Sequence, residues 1–508
     1  PQHIAKCLCL RIRSHSLLLG SRGRSGCRGL QEAMASSAPP LLIVGAGGAG
    51  LIAALAAARA GAEVLVFDAV DPSVAGEADE SNTSRSTGLI PAAGSALQAA
   101  TGIRGDSPEC LVQDVLAGNH GQCDVELLRA VCGAAPKVVD WLHAEVGLEL
   151  ECKQDFLYHG HSHFRMHGPP SGYGRSFVRS LAAKVAAEPR IQTRYKIRVV
   201  GLLTDGSGAV RGVRLSDGEE VPGCAVVLAT CGFGGSKRQV RRPHGFGPSE
   251  SAESPVASHL GKSLASGSPF DDGSGLEMGV AAGGELRHMS SYQGHATVTD
   301  ATPPLLVTYG VVVNGGILVN SSGLRFGNED VGYSEFSAAV LAQGPGVIEV
   351  FGIETAEACA ATRLEQVIAE GQVHTHASLE ALAADRGLPL DALRMTIQEV
   401  SRVACSAGVD AFGRPGLREM SPPFSSIAVQ AALFHTQGGL RVDDRARVMR
   451  AGGTEPVRGL FSAGGAAAGF SGDSVEGYLS GNGLLSAAVF GRWAGEEGAR
   501  HFMSRSRL

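Results

Sequence analysis

The stretch from Leu41 to Asp68 constrains the fold more than any other part of the chain. Four apolar residues, Leu41-Leu42-Ile43-Val44, run into Gly45-Ala46-Gly47-Gly48-Ala49-Gly50, and an Ala/Leu-rich segment from Leu51 to Ala60 follows. Gly61-Ala62-Glu63 then turns into Val64-Leu65-Val66-Phe67, closed by Asp68. The order is strand, GxGxxG turn, helix, strand and acid, with the acid about 20 residues past the turn, as a dinucleotide-binding βαβ unit requires. Gly45 allows a tight turn off the strand, Gly47 lets the backbone approach a pyrophosphate, and Gly50 lets helix and strand pack closely. Gly48 belongs to the same turn. The helix N-terminus offers free N–H groups and a positive dipole end to phosphates, and Asp68 can accept hydrogen bonds from ribose hydroxyls. Pro39 to Ala60 is apolar enough to suggest a membrane helix, but the four glycines at 45, 47, 48 and 50 argue against one, so no membrane span is expected.

Glycine makes up 70 of the 508 residues, about twice the usual share, without the period of three that collagen needs. Apolar residues make up 44%, enough to bury a sizeable core, so a disordered chain is excluded. The net charge of −6 offers no electrostatic reason to bind nucleic acid. Residues 1–33 differ from the rest: they carry six basic residues and one acid, Glu32. Two readings stand for them, upstream translated sequence before Met34-Ala35-Ser36-Ser37, or a mitochondrial transit peptide. Both place them outside the fold; the first goes with a cytoplasmic protein, the second with a mitochondrial one. The eleven cysteines fall at irregular positions without metal-binding spacing, which predicts reduced thiols and no metal site.

Helical spacing predicts two helices over 107–150. Residues 198–227 read as hairpins around Ser216-Asp217-Gly218, and Ala225–Ala229 as a buried parallel strand. Residues 236–275, rich in Ser, Pro, Gly and His, read as a long loop. Beyond 272 the pattern gives short strands at Val311-Val312-Val313 and Ile317-Leu318-Val319, then a helix with Leu390, Leu393, Ile397 and Val400 on one face. Gly459 to Gly465 reads as a strand into a glycine-rich turn, and Ser480 to Ala494 as a small-residue helix. His159, His161 and His163 alternate, but without an accompanying acid or thiol they read as a solvated loop.

Five motifs in order carry a resemblance: Val44–Gly50; Val226-Val227-Leu228-Ala229-Thr230-Cys231-Gly232-Phe233-Gly234-Gly235; Gly315–Asn320 with Gly323-Leu324-Arg325-Phe326; His435-Thr436-Gln437-Gly438-Gly439; and Gly459–Gly464 with Gly481-Asn482-Gly483. Together they resemble the fumarate reductase/succinate dehydrogenase flavoprotein family, which includes soluble fumarate reductases and 3-ketosteroid dehydrogenases. The resemblance spans about 40–500. It implies an α/β fold: a Rossmann-type FAD-binding domain over 34–271 and 421–508, with an inserted α+β capping, substrate-bearing domain over 272–420. It also implies hydride exchange at flavin N5, the protein supplying orientation and electrostatics. Gly45, Gly47, Gly48, Gly50 and Asp68 would hold the adenylate half; Ser86, Thr87 and Gly88 would run along the flavin; Ala229, Thr230 and Gly232 would lie beside the adenosine. Gly464, Gly481, Asn482 and Leu484 would face the flavin ring, Gly465 replacing a common acid. The Ser81–Gly88 stretch lacks the His that succinate dehydrogenases bond to FAD, which predicts non-covalent flavin. Cys231 stands in for the usual Gly.

The substrate side departs from the family. His435 matches its substrate-binding His, and His167 lies in a region resembling a second substrate loop. Val312 occupies the place of the proton-donating Arg, and Tyr478 that of the carboxylate-clamping Arg; the relay Glu is missing, with Arg175 and Ser176 there. A dicarboxylate needs cationic partners where water is excluded, so these losses argue against fumarate. Tyr478 could hydrogen-bond a ketone oxygen or take a proton from an adjacent carbon, as in the ketosteroid dehydrogenases it resembles; Tyr292 and Tyr309 are further candidates. The resulting expectation is an FAD-dependent oxidoreductase acting on a CH–CH bond of a small carbonyl- or carboxyl-bearing, possibly ketosteroid-like, substrate, with Tyr478, His435 and His167 as polar partners. The alternatives are a dicarboxylate enzyme, revived if Arg287 or Arg325 reaches the site, and a non-catalytic flavin-binding homologue. No haem or iron–sulfur ligand set is present in the sequence, so the electron donor or acceptor is expected to be a separate, unidentified molecule.

Overall fold

Leu41–Val44 lies at the middle of a six-stranded sheet, flanked by Ala225–Leu228 on one side and Val64–Asp68 on the other, both parallel to it. Pro456–Ser462 and Ile191–Tyr195 extend the parallel arrangement outward, and Arg447–Met449 closes one edge antiparallel. All eight residues of Leu41–Val44 and Ala225–Leu228 are buried. That is why these segments read as unbroken apolar runs: a parallel strand is covered on both faces. The computed structural model describes residues 38–74, 81–171, 173–236, 264–265, 267–360 and 362–506. Residues 1–33, and most of the stretch expected to form a long loop after 236, lie outside the described residues.

Two helices with small side chains cover this sheet, Gly48–Arg59 and Asn482–Arg505. Their contact explains much of the glycine and alanine excess. A Cβ on Gly491 would come 2.6 Å from Ala49 O, and one on Gly495 would come 2.3 Å from Ala53 O. The backbones therefore touch, which only glycine permits. The final helix starts near the expected place but runs eleven residues past Ala494, to Arg505.

The second sheet is built around one long strand, Phe424–Thr436. It pairs with Val347–Phe351, Tyr292–Thr299, His374–His376 and Leu264–Ala265, and Ile317–Val319 pairs with Val347–Phe351. The sheet thus draws strands from both sides of residue 420. One face packs on Val311, Val312, Phe336, Val340 and Leu364, and the other on the helix Leu390–Cys405 through Leu393, Ile397, Val400 and Val403. The apolar face read from the sequence is therefore core. The helices Pro108–Asn119 and Val125–Asp140 form where expected, capped by Ser107 and Asp124.

Val311-Val312-Val313 is not a strand. Gly310–Val313 forms one helical turn, ended by Gly315 at φ +110°. Gly315 N–H donates to Val312 O at 2.9 Å and Gly316 N–H to Val311 O at 2.8 Å. Three apolar residues carry too little periodicity to separate a buried turn from a strand. His161 also differs from the solvated loop expected: it is buried, its Nε2 2.9 Å from Ser480 O. Among the described residues, no group of His, Cys, Asp or Glu is arranged to hold a metal, and no helix is long and apolar enough to cross a membrane.

Candidate functional site

A cavity of about 830 Å³ opens beyond the carboxyl ends of the parallel strands, where α/β sheets bind their ligands. Its sheet-side wall is made by Gly47, Gly48 and Ala49, by Ser81 to Thr83 and Arg85 to Thr87, by Ala229 and Cys231, and by Gly464, Gly465, Gly481 and Leu484. The second sheet and its loops supply Gln293, His295, Tyr309, Tyr333, Arg363, Phe434 and His435. The third part of the wall is Phe156, Tyr158 and His159, with Tyr478 to Ser480 beside them.

The glycines at its nucleotide end have distinct tasks. A Cβ on Gly45, at φ +106°, would fall 2.2 Å from Ala229 O, and one on Gly50 would fall 1.9 Å from Gly45 O. Both positions demand bare backbone for strand–helix packing. Gly47 is different: a Cβ there would meet only Ser81 Cβ, at 3.7 Å. Its open side faces the cavity, and no side chain caps the helix that it begins. This is an uncapped, positively polarised helix end with room for an anionic phosphate. Asp68 accepts from Ala46 N–H and, at 2.9 Å, from Val70 N–H. It fastens the turn to the second strand, and burial raises its pKa above the usual carboxylate value. Gly45, Gly50, Asp68, Gly88, Thr230, Gly232 and Asn482 sit behind the wall rather than on it. Cys231 is on the wall at φ +62°, a conformation that favours glycine, and burial raises its thiol pKa.

At the other end, His435 and Tyr478 stand edge to face, with ring centroids 5.8 Å apart. His435 reaches the cavity because it sits at the last turn of the long strand, where Thr436 Oγ1 accepts from Phe233 N–H at 3.1 Å. A hydrogen-bond chain reaches its ring. Asn482 Nδ2 donates to Ser471 Oγ (3.1 Å), Ser471 Oγ–H to Gln437 Oε1 (3.0 Å), and Gln437 Nε2 to His435 Nδ1 (3.0 Å). Nδ1 also lies 3.1 Å from Thr436 O, so it accepts from Gln437 in one tautomer and donates to that carbonyl in the other. Burial pushes the ring down to about 4, so it is neutral. Tyr478 lies just ahead of the uncapped N-terminus of the helix Asn482–Arg505. Burial pushes its phenol up to about 12, against the opposing pull of the Gly481 and Gly483 amides and the Tyr333 hydroxyl. Tyr333, 6.4 Å away by centroid, stacks on His295 at 4.9 Å.

His167 does not join this set. It is fully buried on the strand Met166–Gly168, 2.7 Å from Ser95 Oγ, and has no face on the cavity. A side chain so enclosed cannot touch a substrate, so the catalytic expectation for it is withdrawn. Tyr292 is buried off the wall; Tyr309 is on it, its hydroxyl donating to Glu329 O. Arg325 is held by Glu329 and Asp410, and Arg287 lies near Glu285; neither reaches the cavity. Tyr333, Gln437 and Arg363 were not singled out from the sequence.

The buried titratable groups set the pH dependence of stability. Burial pushes His161, His167 and His435 down to about 4 and His295 to about 3. Each is neutral when folded but takes a proton in the unfolded chain below about 6.5, so stability falls as pH drops from there. Burial pushes Asp271 up to about 7 and Glu349 up to about 8. These keep a proton that the unfolded chain loses above about 4, so they remove stability as pH rises. Of these six groups, the four histidines outweigh the two acids below about 6.5, and above it the two acids act alone. The thermal unfolding midpoint is therefore expected to peak near pH 6.5 and fall on both sides; a flat midpoint between pH 5 and 8 would contradict this assignment.

A family model described as an FAD binding domain matches residues 41–483. "Fumarate reductase (cytochrome)" from Shewanella frigidimarina is 30% identical over 483 residues, spanning 93% of this chain and 79% of that protein. Urocanate reductase from Eggerthella lenta is 26% identical over 474 residues, spanning 90% and 74%. Among solved structures, the open conformation of a flavocytochrome c3 fumarate reductase matches with a TM-score of 0.73 at 26% identity, covering 95% of this chain and 82% of that one. A 3-ketosteroid-Δ4-(5α)-dehydrogenase from Rhodococcus jostii RHA1 shares the fold, with a TM-score of 0.70 at 24% identity and coverage of 91% and 97%.

Proposed function

The chain belongs to the FAD binding domain family, and from that premise we propose that its cavity exchanges hydride between FAD and a C–C bond of a small carbonyl- or carboxyl-bearing molecule, with Tyr478 and His435 as polar partners. It is an FAD-dependent oxidoreductase acting on CH–CH groups. The observation that carries the site assignment is the pairing of a neutral His435 and a protonated Tyr478 in one cavity with the nucleotide cradle at Gly47.

When bound, FAD accepts or supplies the hydride at its N5. Gly47, Gly48, Ser86, Thr87, Ala229, Gly464, Gly481 and Leu484 would hold it from the wall, and Asp68, Gly45, Gly50, Gly88, Thr230, Gly232 and Asn482 would shape that wall from behind. In the tautomer that accepts from Gln437, His435 offers Nε2–H to a substrate oxygen. Tyr478 holds a proton at its hydroxyl, beside the backbone amides that stabilise the phenolate once the proton has moved to carbon. In reduction one substrate carbon would gain the hydride and its neighbour this proton; in desaturation the hydride would pass to the flavin and the proton to the Tyr478 phenolate. Aromatic walls exclude water from the reacting carbons. Attachment of FAD is non-covalent on this reading, because Ser81–Gly88 offers no histidine or cysteine beside the ring. Acid precipitation of the yellow protein is expected to leave the colour in the supernatant.

The test of turnover is anaerobic photoreduction followed by addition of fumarate, enones or unsaturated acids. Recovery of the oxidised flavin spectrum with at least one of them is expected. Fumarate belongs in the panel because one relative is named a fumarate reductase. A reduced flavin that no electron-poor alkene reoxidises would favour a flavin-binding protein without turnover.

A further inference from the structure

Arg363 brings a positive charge to the cavity wall with no counter-charge of its own. It sits between the helices Ile353–Cys359 and Leu364–Ala369, on the cavity wall beside Ser86. Its Nη2 donates to Ser86 O at 3.3 Å, and its guanidinium lies over the Tyr173 ring, 4.7 Å from the centroid. Among the described residues no carboxylate pairs with it. Other arginines drawn into the interior are all paired: Arg165 with Asp106 and Asp114, Arg325 with Glu329 and Asp410, Arg414 with Glu329. Burial lowers the pKa of Arg363, the direction expected for a desolvated cation without an anion. A guanidinium has five donors in a planar fork, and one backbone oxygen and one ring face leave most of that fork unused. The matching occupant is a carboxylate, which it can take bidentately.

We propose that Arg363 is the substrate's anion anchor, and that the substrate of this site is an unsaturated or oxo acid bearing one carboxylate on a flat, apolar body. The inference rests on the proposed reading of the cavity as a CH–CH redox site. Tyr158, Tyr333 and His295 line the space between Arg363 and the Tyr478–His435 pair, which suits a planar apolar body. The charge would be bound at one end and the reacting bond held at the other. An uncharged ketone would leave the half-buried guanidinium without an anion. Arg363 alone would pair only one of a dicarboxylate's two charges.

The test uses the FAD-loaded enzyme and two probes of one shape, 3-benzoylacrylate and its methyl ester, titrated by the perturbation of the flavin spectrum. The acid is expected to bind about 10- to 100-fold more tightly than the ester. Arg363→Gln should remove that preference while leaving ester binding unchanged, and Arg363→Lys should restore part of it. Equal binding of acid and ester, no binding of the acid, or a preference that survives R363Q would each overturn the proposal. The redox reading fails separately: reduced enzyme that neither probe reoxidises sinks it while the anion site stands. Reoxidation by neutral enones with full indifference to charge keeps the redox reading and sinks the anchor.

Discussion

Tyr478→Phe is expected to slow turnover by about two to four orders of magnitude while the flavin stays bound, the range typical for losing a positioned acid or base. The substitution deletes one oxygen and keeps the ring, so the edge-to-face contact with His435 and the packing on Tyr333 persist. What disappears is the proton held beside the Gly481 and Gly483 amides. The effect should fall on kcat more than on KM, because the proton is needed in the transition state rather than in binding. In single-turnover reoxidation of the reduced enzyme, the solvent deuterium effect should vanish with the phenol. Tyr333→Phe should cost less, since Tyr333 touches the proton site through Tyr478. A Y478F enzyme that keeps wild-type kcat would return Tyr478 to the role of a packing wall.

His435 invites a finer distinction. Gln437→Leu removes the donor to Nδ1 without touching the cavity, freeing the ring to adopt the other tautomer. Gln437 is thus a positioning residue, and its loss should alter the pH profile of turnover rather than flavin binding.

The legible parts of the molecule were those coded locally. Leu41 to Asp68 announces its βαβ unit because turn, helix and acid are contiguous, and Ala225–Leu228 announces a doubly covered strand by being wholly apolar. His435 and Tyr478 were legible through the motifs around them, and the structure brings them together across 43 residues of sequence, a distance no local pattern encodes. Arg363 carried no signal: it lies between two short helices, and only the fold carries it to Ser86, 277 positions away. His167 misled in the opposite sense. Its surroundings resemble a substrate loop, but the strand places its ring inward against Ser95, where burial outweighs chemistry. Three valines at 311–313 fit a strand as well as a buried turn, and the glycines on either side decided for the turn.

The glycines of the first turn separate two kinds of failure that a single variant would confuse. Gly47→Val places its side chain where only Ser81 Cβ lies within 4 Å, at 3.7 Å, on the face open to the cavity. The apoprotein should fold with a wild-type unfolding midpoint, yet lose FAD, because the methyls occupy the space where a pyrophosphate meets the helix end. A loss of at least about 100-fold in flavin affinity is expected, consistent with removing several charge-assisted contacts at once. Gly50→Val fails differently. Its Cβ would lie 1.9 Å from Gly45 O, so the helix must move off the strand. Backbone overlap of this kind is expected to destabilise by about 3 kcal/mol or more and to lower the unfolding midpoint before any flavin is added. Circular dichroism on flavin-free material, followed by fluorescence titration with FAD, distinguishes the two. If G47V bound FAD like the wild type, the cradle would not be where the coenzyme's phosphates lie, and the assignment of the whole cavity would lose its anchor.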